Sequence, residues 1–402
     1  MLLRTLYYTL GAIGTGVAAY LLRRPKPTNF APLNLHGAES CKYILDDSHS
    51  HTFTLPDGRK LGYADYGDPK GKTILYQHGL PGSRTEATRY HELGKELGIR
   101  VVSIDRPVFG WSTPFDTYRG RTVRSWAADV ECLAEHLELS EYAVLVRRCG
   151  SPRLCTAVLV RCKSSRNSRI ENPCQSDKGV SGGGPYALSC AHGLPKDKLK
   201  VVGLVCGIGS PDIGMSGAAW PRYSGFTVGW RWSPQVFLRW FFQRDAADSL
   251  NLPDEERLKL FLSEKRLEGM DERDRTFFAD EDEMRAYLAT SRQSFRQGVD
   301  AMCKDGFVMC TDWGFRIEDI RKDVSVVLWY GSRDVNVPPN HGRTIARRLR
   351  MEEEQVEGEV REAGPLEYKE RVRLRMLDDT HASISMRDKR GYLVDISNTW
   401  RK

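Results

Sequence analysis

The tightest constraint on this chain is a rhythm. From residue 52 onward, short apolar runs alternate with helical stretches, and each run closes on glycine, proline or charged residues. Thr52 to Leu55 and Lys60 to Tyr66 read as a hairpin about Pro56-Asp57-Gly58. Lys72 to Gln77, Val101 to Ile104, Tyr142 to Val146, Leu199 to Cys206, Val324 to Tyr330 and Arg373 to Leu377 read as further strands. Helices are expected over Glu86 to Leu97 and Val123 to Leu137. Apolar strands separated by helices pair in parallel, because the crossover needs a helix's length of chain. The expectation is an α/β fold with a mostly parallel central sheet. Residues 207–319 interrupt the rhythm. They are rich in Trp and Phe, carry candidate helices at Glu255 to Leu267 and Asp280 to Arg296, and read as a helical cap between core pieces at 52–206 and 320–402.

At 402 residues, 40% hydrophobic and 28% charged, the chain is globular in composition, which excludes collagen-like, coiled-coil and wholly disordered classes. The net charge of +7 is concentrated rather than spread. Val146 to Lys178 holds eight basic residues against two acidic ones, and no aromatic residue is interleaved with them. No nucleic-acid partner is therefore expected. Four of the ten cysteines (Cys149, Cys155, Cys162, Cys174) fall in the same stretch and no CxxC pair exists, so neither a zinc site nor a disulfide framework is expected.

Thr5 to Leu22 carries no charge and is flanked by Arg4 on one side and Arg23, Arg24 and Lys26 on the other. Residues 1–27 read as a single-pass membrane anchor, with the heavier basic flank leaving the body in the cytosol. A cleaved signal peptide would want a small-residue cleavage site, and an organelle-targeting sequence would want more Arg and Ser. Residues 28–51 read as a linker.

The chemistry sits where strands end. Gly179-Val180-Ser181-Gly182-Gly183 fits G-x-S-x-G and runs into Gly184-Pro185-Tyr186-Ala187-Leu188, which can open a helix. Glycines flank the serine at a two-residue spacing because side chains in so sharp a turn would clash with strand and helix. Upstream, His78-Gly79-Leu80-Pro81-Gly82-Ser83 follows a buried strand; N–H groups of Leu80 and Gly182 are candidate donors to an oxyanion. Downstream, Asp334 lies just past one strand and His381 in the loop after the last, giving the order Ser, Asp, His. A serine hydroxyl is a poor nucleophile unless an imidazole takes its proton, and that imidazole must be held in one tautomer by an acceptor.

In combination these motifs resemble the α/β-hydrolase superfamily, in its serine-nucleophile branch, over roughly residues 52 to 402. Asp105-Arg106-Pro107 resembles the D-R-P-G-x-G turn of that superfamily, and Asp312-Trp313-Gly314-Phe315 precedes the acid strand as it does there. The resemblance implies an α/β-hydrolase fold, with Ser181 as nucleophile, His381 as general base and then acid, Asp334 as the orienting carboxylate, and Gly179 and Gly183 shaping the turn. It implies a serine esterase or lipase that needs no metal or organic cofactor. The expected substrate is a small lipophilic ester or acyl compound, met near a membrane, with the cap aromatics Trp220, Phe226, Trp230, Trp232, Phe237, Trp240, Phe241 and Phe242 either lining an apolar pocket or packing cap to core. An acyltransferase on the same triad and a catalytically inactive fold are the alternatives. An aspartate nucleophile is disfavoured because the elbow carries serine.

Rivals for these roles read less well. His341, in Pro338-Pro339-Asn340-His341-Gly342, reads as a capping or surface residue; Asp378 and Asp379 read as solvated turn residues; His78 reads as shaping its loop. Two features depart from the superfamily pattern. Val108 stands where the turn usually has glycine. More seriously, the 33 residues Val146 to Lys178 separate the strand Tyr142 to Leu145 from Gly179, and Gln175-Ser176-Asp177-Lys178 cannot form a buried central strand. The stretch reads as translated non-coding sequence, with a genuine family-specific insertion as the alternative: 33 codons keep the frame, a Val codon begins with GT, and a Lys codon can end in AG. A chain made as written is expected to have little activity. Met351 to Glu370 reads as a solvated helix extension.

Overall fold

The computed structural model describes residues 40–115, 121–147, 182–250, 252–268, 270–350 and 371–400. In chain order its strands are β1 Ser50–Thr54, β2 Lys60–Gly67, β3 Lys72–Gln77, β4 Ile99–Ile104, β5 Tyr142–Val146, β6 Leu199–Val205, β7 Ser325–Gly331 and β8 Val372–Leu377. They form one eight-stranded sheet in the order β1-β2-β4-β3-β5-β6-β7-β8. The β1–β2 and β2–β4 pairs are antiparallel, and every pair from β4 to β8 is parallel. The sequence explains the difference. Tyr142-Ala143-Val144-Leu145-Val146 is buried along its whole length, as a central strand covered on both faces must be, whereas β1 at the sheet edge is mostly exposed.

Helices cover both faces. Trp126–His136, Gly184–Gly193 and Pro339–Arg350 pack on one side, where Trp126, Leu188 and Ile345 join Val144, Val202 and Leu328. Arg84–Tyr90, His91–Leu97 and Lys389–Trp400 pack on the other, where Tyr90, Leu393 and Ile396 meet Ile74, Ala143 and Val201. The chain goes from β3 to one side for β4 and to the other side for β5, and Gln77 is in register with both Ile104 and Val146. β4 and β5 therefore lie on opposite sides of β3, and the carboxyl ends of these strands are where an open α/β sheet leaves its crevice.

Between β6 and β7 come the helices Gln235–Leu250, Asp254–Phe261, Glu272–Phe278, Glu281–Ser294 and Asp300–Met309. Phe226 and Trp230 are buried under them, while Trp220 and Trp232 are 75% and 69% exposed. The expectation of a membrane protein is corrected. Among the described residues no helix is long and apolar enough to cross a membrane, and Thr5 to Leu22, which prompted the expectation, lies outside the described residues. So does the stretch Met351 to Glu370.

Candidate active site at the carboxyl edge of the sheet

β7 ends at Gly331, and a Cβ there would lie 2.3 Å from the Asp379 carbonyl oxygen, so glycine lets the ends of β7 and β8 close on each other. The turn after β7 folds over the Asp334 carboxylate. Asp334 Oδ1 accepts the N–H groups of Asn336 and Val337 at 2.8 and 2.9 Å, and Oδ2 faces His381 Nδ1 at 2.5 Å. Both side chains are buried. A carboxylate with three such contacts is an acceptor only, so Nδ1 carries the ring proton and Nε2 presents its lone pair. Among the described residues Nε2 is buried without a hydrogen-bond partner. His381 opens the helix His381–Arg387, which is held by a reciprocal cap: the Thr380 side chain accepts from the Ser383 N–H at 3.1 Å, and Ser383 Oγ accepts from the Thr380 N–H at 2.9 Å.

The loop after β3 is fixed from behind. The buried Arg106 guanidinium donates to the carbonyls of His78 at 2.6 Å and Gly79 at 2.9 Å, and to Asp305 of the cap at 2.8 Å. His78 accepts the Arg106 N–H at Nε2 and meets the Gly79 carbonyl with Nδ1 at 2.8 Å, so both ring nitrogens are used. Burial holds its pKa well below the ordinary histidine value, with the Arg106 charge adding to the effect. His78 does shape its loop. The Gly79 N–H is taken by Glu86 Oε2 at 3.1 Å. Leu80 instead abuts the elbow glycines: a Cβ on Gly182 would lie 2.6 Å from Leu80 Cβ and 3.3 Å from its nitrogen. Gly184 is equally tight, since a Cβ there would lie 2.6 Å from the Ile208 carbonyl oxygen.

Four of the expected residues thus come together in pairs, Asp334 with His381 and Leu80 with Gly182. Ser181 and Gly179 lie outside the described residues. Gly183 presses on β5, where a Cβ would come within 2.1 Å of Val146 Cγ2. Next to Val146, Arg147 is fully buried. Its guanidinium meets Tyr90 Oη at 2.8 Å and the Met386 sulfur, and among the described residues its Nε has no partner.

Other findings correct or extend the sequence reading. His341 is buried rather than a surface residue, and Asp379 is buried too, accepting from Ser383 and Arg387. Asp378 is exposed and pairs with Arg333 and Arg273, as a turn residue would. Val108 has φ of +77°, the left-handed conformation that glycine would adopt without strain. Cys206, which no motif singled out, follows β6 with φ of +53°, and its sulfur lies with an Asp334 oxygen and a His381 nitrogen inside a 4.8 Å cluster. A zinc ion held at about 2.0–2.2 Å by oxygen and nitrogen would keep those two atoms more than ~3 Å apart. At 2.5 Å the Asp334–His381 pair is a hydrogen bond and not two ligands of one ion.

No family model matches the chain. It is 31% identical to a non-heme chloroperoxidase from Streptomyces lividans over 121 residues, which is 27% of this chain and 43% of that protein. It is 31% identical to a proline iminopeptidase from Xylella fastidiosa over 99 residues (24% and 31%), and 28% identical to one from Arabidopsis thaliana over 126 residues (31% and 30%). The matches span less than half the length of each of these relatives. Among solved structures, an α/β-hydrolase fold protein from Nakamurella multipartita is similar with a TM-score of 0.51 at 16% identity, covering 87% of this chain and 99% of that one. An esterase from a Rhodococcus species is similar with a TM-score of 0.50 at 12% identity, covering 87% and 98%. These two likenesses speak to fold alone. Sheet order and strand direction agree with these likenesses, and the chain has the α/β-hydrolase fold.

Proposed function

We propose that this protein is a serine hydrolase that cleaves a small carboxylic ester or related acyl compound through an acyl-enzyme. One observation carries the reading: His381 is held by Asp334 at 2.5 Å with Nε2 unpartnered among the described residues, on the same sheet edge where Gly182, the residue after Ser181, abuts Leu80. In the proposed reaction Ser181 Oγ bonds to the substrate carbonyl carbon as its proton passes to His381 Nε2. The N–H groups of Leu80 and Gly182 receive the oxyanion. The carbon–oxygen bond to the alcohol then breaks, and the alcohol leaves with that proton. Water repeats the sequence, releasing the acid and restoring the serine.

The form of the chain that carries this activity is one lacking Val146 to Lys178. Joining Leu145 to Gly179 would put Gly179 where Val146 meets Gly183, Val180 where Arg147 is buried, and Ser181 immediately after. Glycine fits where β5 meets Gly183, and valine relieves a cost by removing a buried guanidinium that has no carboxylate partner among the described residues. Transcript sequencing shows which form is made.

The activity test is labelling by a fluorophosphonate probe, with folding followed by circular dichroism. The chain without Val146 to Lys178 should label and hydrolyse p-nitrophenyl esters, while the full chain should do so weakly. Ser181→Ala should abolish labelling, and Asp334→Asn should lower kcat by about 10⁴-fold. A folded shortened chain that resists the probe, or labelling that survives Ser181→Ala, overturns the proposal.

A further inference from the structure

A cavity of about 240 Å³ lies beneath the cap, walled by Ile208, Met215, Phe226, Met309 and Cys310. It adjoins the elbow on two sides, because a Cβ on Gly182 would lie 3.1 Å from Met309 Sδ and one on Gly184 would lie 2.6 Å from the Ile208 carbonyl oxygen. At roughly 30 Å³ per water it holds a group of about eight water volumes. Its polar lining is spoken for with one exception. Ser210 accepts from Arg348 at 3.2 Å, Thr227 donates to the Tyr223 carbonyl at 2.6 Å, and the exposed Arg231 lies over the Trp232 ring.

The exception is His341, which is 1% exposed. Its Nδ1 accepts the Gly209 N–H at 3.1 Å, and its Nε2 is buried with no hydrogen-bond partner among the described residues. Burial lowers its pKa to about 4 against the pull of Asp334 and of a backbone contact with Gly214 that falls short of hydrogen-bond geometry, so the ring is neutral near pH 7. With Nδ1 an acceptor, the proton of the neutral ring sits on Nε2. An N–H without a well-aligned acceptor in a mostly apolar wall is costly until something accepts it.

We infer that this cavity is a substrate subsite and that His341 Nε2–H donates a hydrogen bond to a keto, ether or ester oxygen carried by the substrate group that fills it. The preferred substrates are then compact aliphatic esters bearing a second oxygen, not plain alkyl esters. The inference rests on the hydrolase reading for its substrate, but the cavity can be tested without turnover.

The first experiment titrates the full chain, ¹⁵N-labelled at histidine, with cyclopentanone and with cyclopentane. Cyclopentanone should bind at least about tenfold tighter and shift the His341 Nε2–H resonance. His341→Leu should erase the preference while cyclopentane binding persists, and His341→Gln, which keeps a donor, should restore part of it. Equal affinity for the two probes, no binding of either, or an unmoved resonance overturns the inference. A second arm compares p-nitrophenyl levulinate with p-nitrophenyl pentanoate on the chain lacking Val146 to Lys178. The expected ratio of kcat/KM is about tenfold or more in favour of levulinate, falling to about one in His341→Leu. Because fluorophosphonate labelling does not involve His341, its failure would count against the nucleophile alone, whereas loss of ketone preference with labelling intact would count against the subsite alone.

Discussion

A guanidinium buried as deeply as Arg106 requires an anion, and here the anion comes from another layer of the molecule. Asp305 lies on the cap helix Asp300–Met309, takes the Arg106 side chain at 2.8 Å, and is also bonded by Tyr186 Oη from the helix that follows the elbow. The guanidinium's remaining N–H groups clamp the carbonyls of His78 and Gly79. Arg106→Leu removes this clamp and strands a buried carboxylate, so urea unfolding at pH 7 should show a loss of about 3–5 kcal/mol. The sequence offered part of this. Asp105-Arg106-Pro107 was legible as a turn through its resemblance to the superfamily's D-R-P-G-x-G turn, and in the structure Asp105 accepts the N–H groups of Arg84 at 2.6 Å and Trp111 at 2.9 Å. That Arg106 would find Asp305, 199 positions away, was not legible. Nor was the burial of His341: proline and asparagine before it read as a surface cap, and only the packing of Pro339–Arg350 on the sheet turns the ring inward.

At the scale of elements, the parallel strands were readable because continuous apolar runs have few other uses, and Asp334 and His381 were readable because they fall just beyond two of those runs. Boundaries were less so. Glu86 to Leu97 is a 3₁₀ turn, Arg84–Tyr90, that passes into the helix His91–Leu97, and Glu255 to Leu267 divides into Asp254–Phe261 and Glu264–Leu267. Local propensity does not register such breaks, since tertiary contacts decide where a helix pauses. The end of β5 is the element that sequence reading marked as wrong for its place, and the structure adds a physical reason. Tyr76 Oη donates to the Arg147 carbonyl at 2.7 Å, which holds the backbone in line with the sheet while the side chain is forced among Tyr90 and Met386. In the full chain Arg147→Leu should therefore raise stability by about 1–4 kcal/mol, read as a higher urea midpoint at unchanged slope. An unchanged or lower midpoint would mean that the guanidinium is better accommodated than its contacts indicate.

Over the whole molecule, the cap is tied to the core by charge as much as by apolar packing. Glu283 on the helix Glu281–Ser294 meets Arg89 at 2.7 Å, Tyr43 from the segment before β1, and Lys389 from the last helix, joining four parts of the chain at one carboxylate. Burial alone would favour its neutral form, yet Arg89 and Lys389 hold its carboxyl well below the ordinary value of 4.5. A depressed carboxylate pKa contributes stability above the unfolded value, and that contribution fades as the pH falls below it. Stability should drop as pH is lowered from about 5. Glu283→Gln should both lower stability at pH 7 and flatten that acid limb, measured by thermal unfolding at pH 7, 5 and 3. The same architecture bears on redesign. Because Asp305 reaches down from the roof to the arginine that steadies the His78–Gly79 turn, trimming the roof to admit bulkier molecules would, on the proposed hydrolase reading, also slacken the cradle for the developing negative charge. Turnover of small substrates would then fall even though nothing had been built in their way.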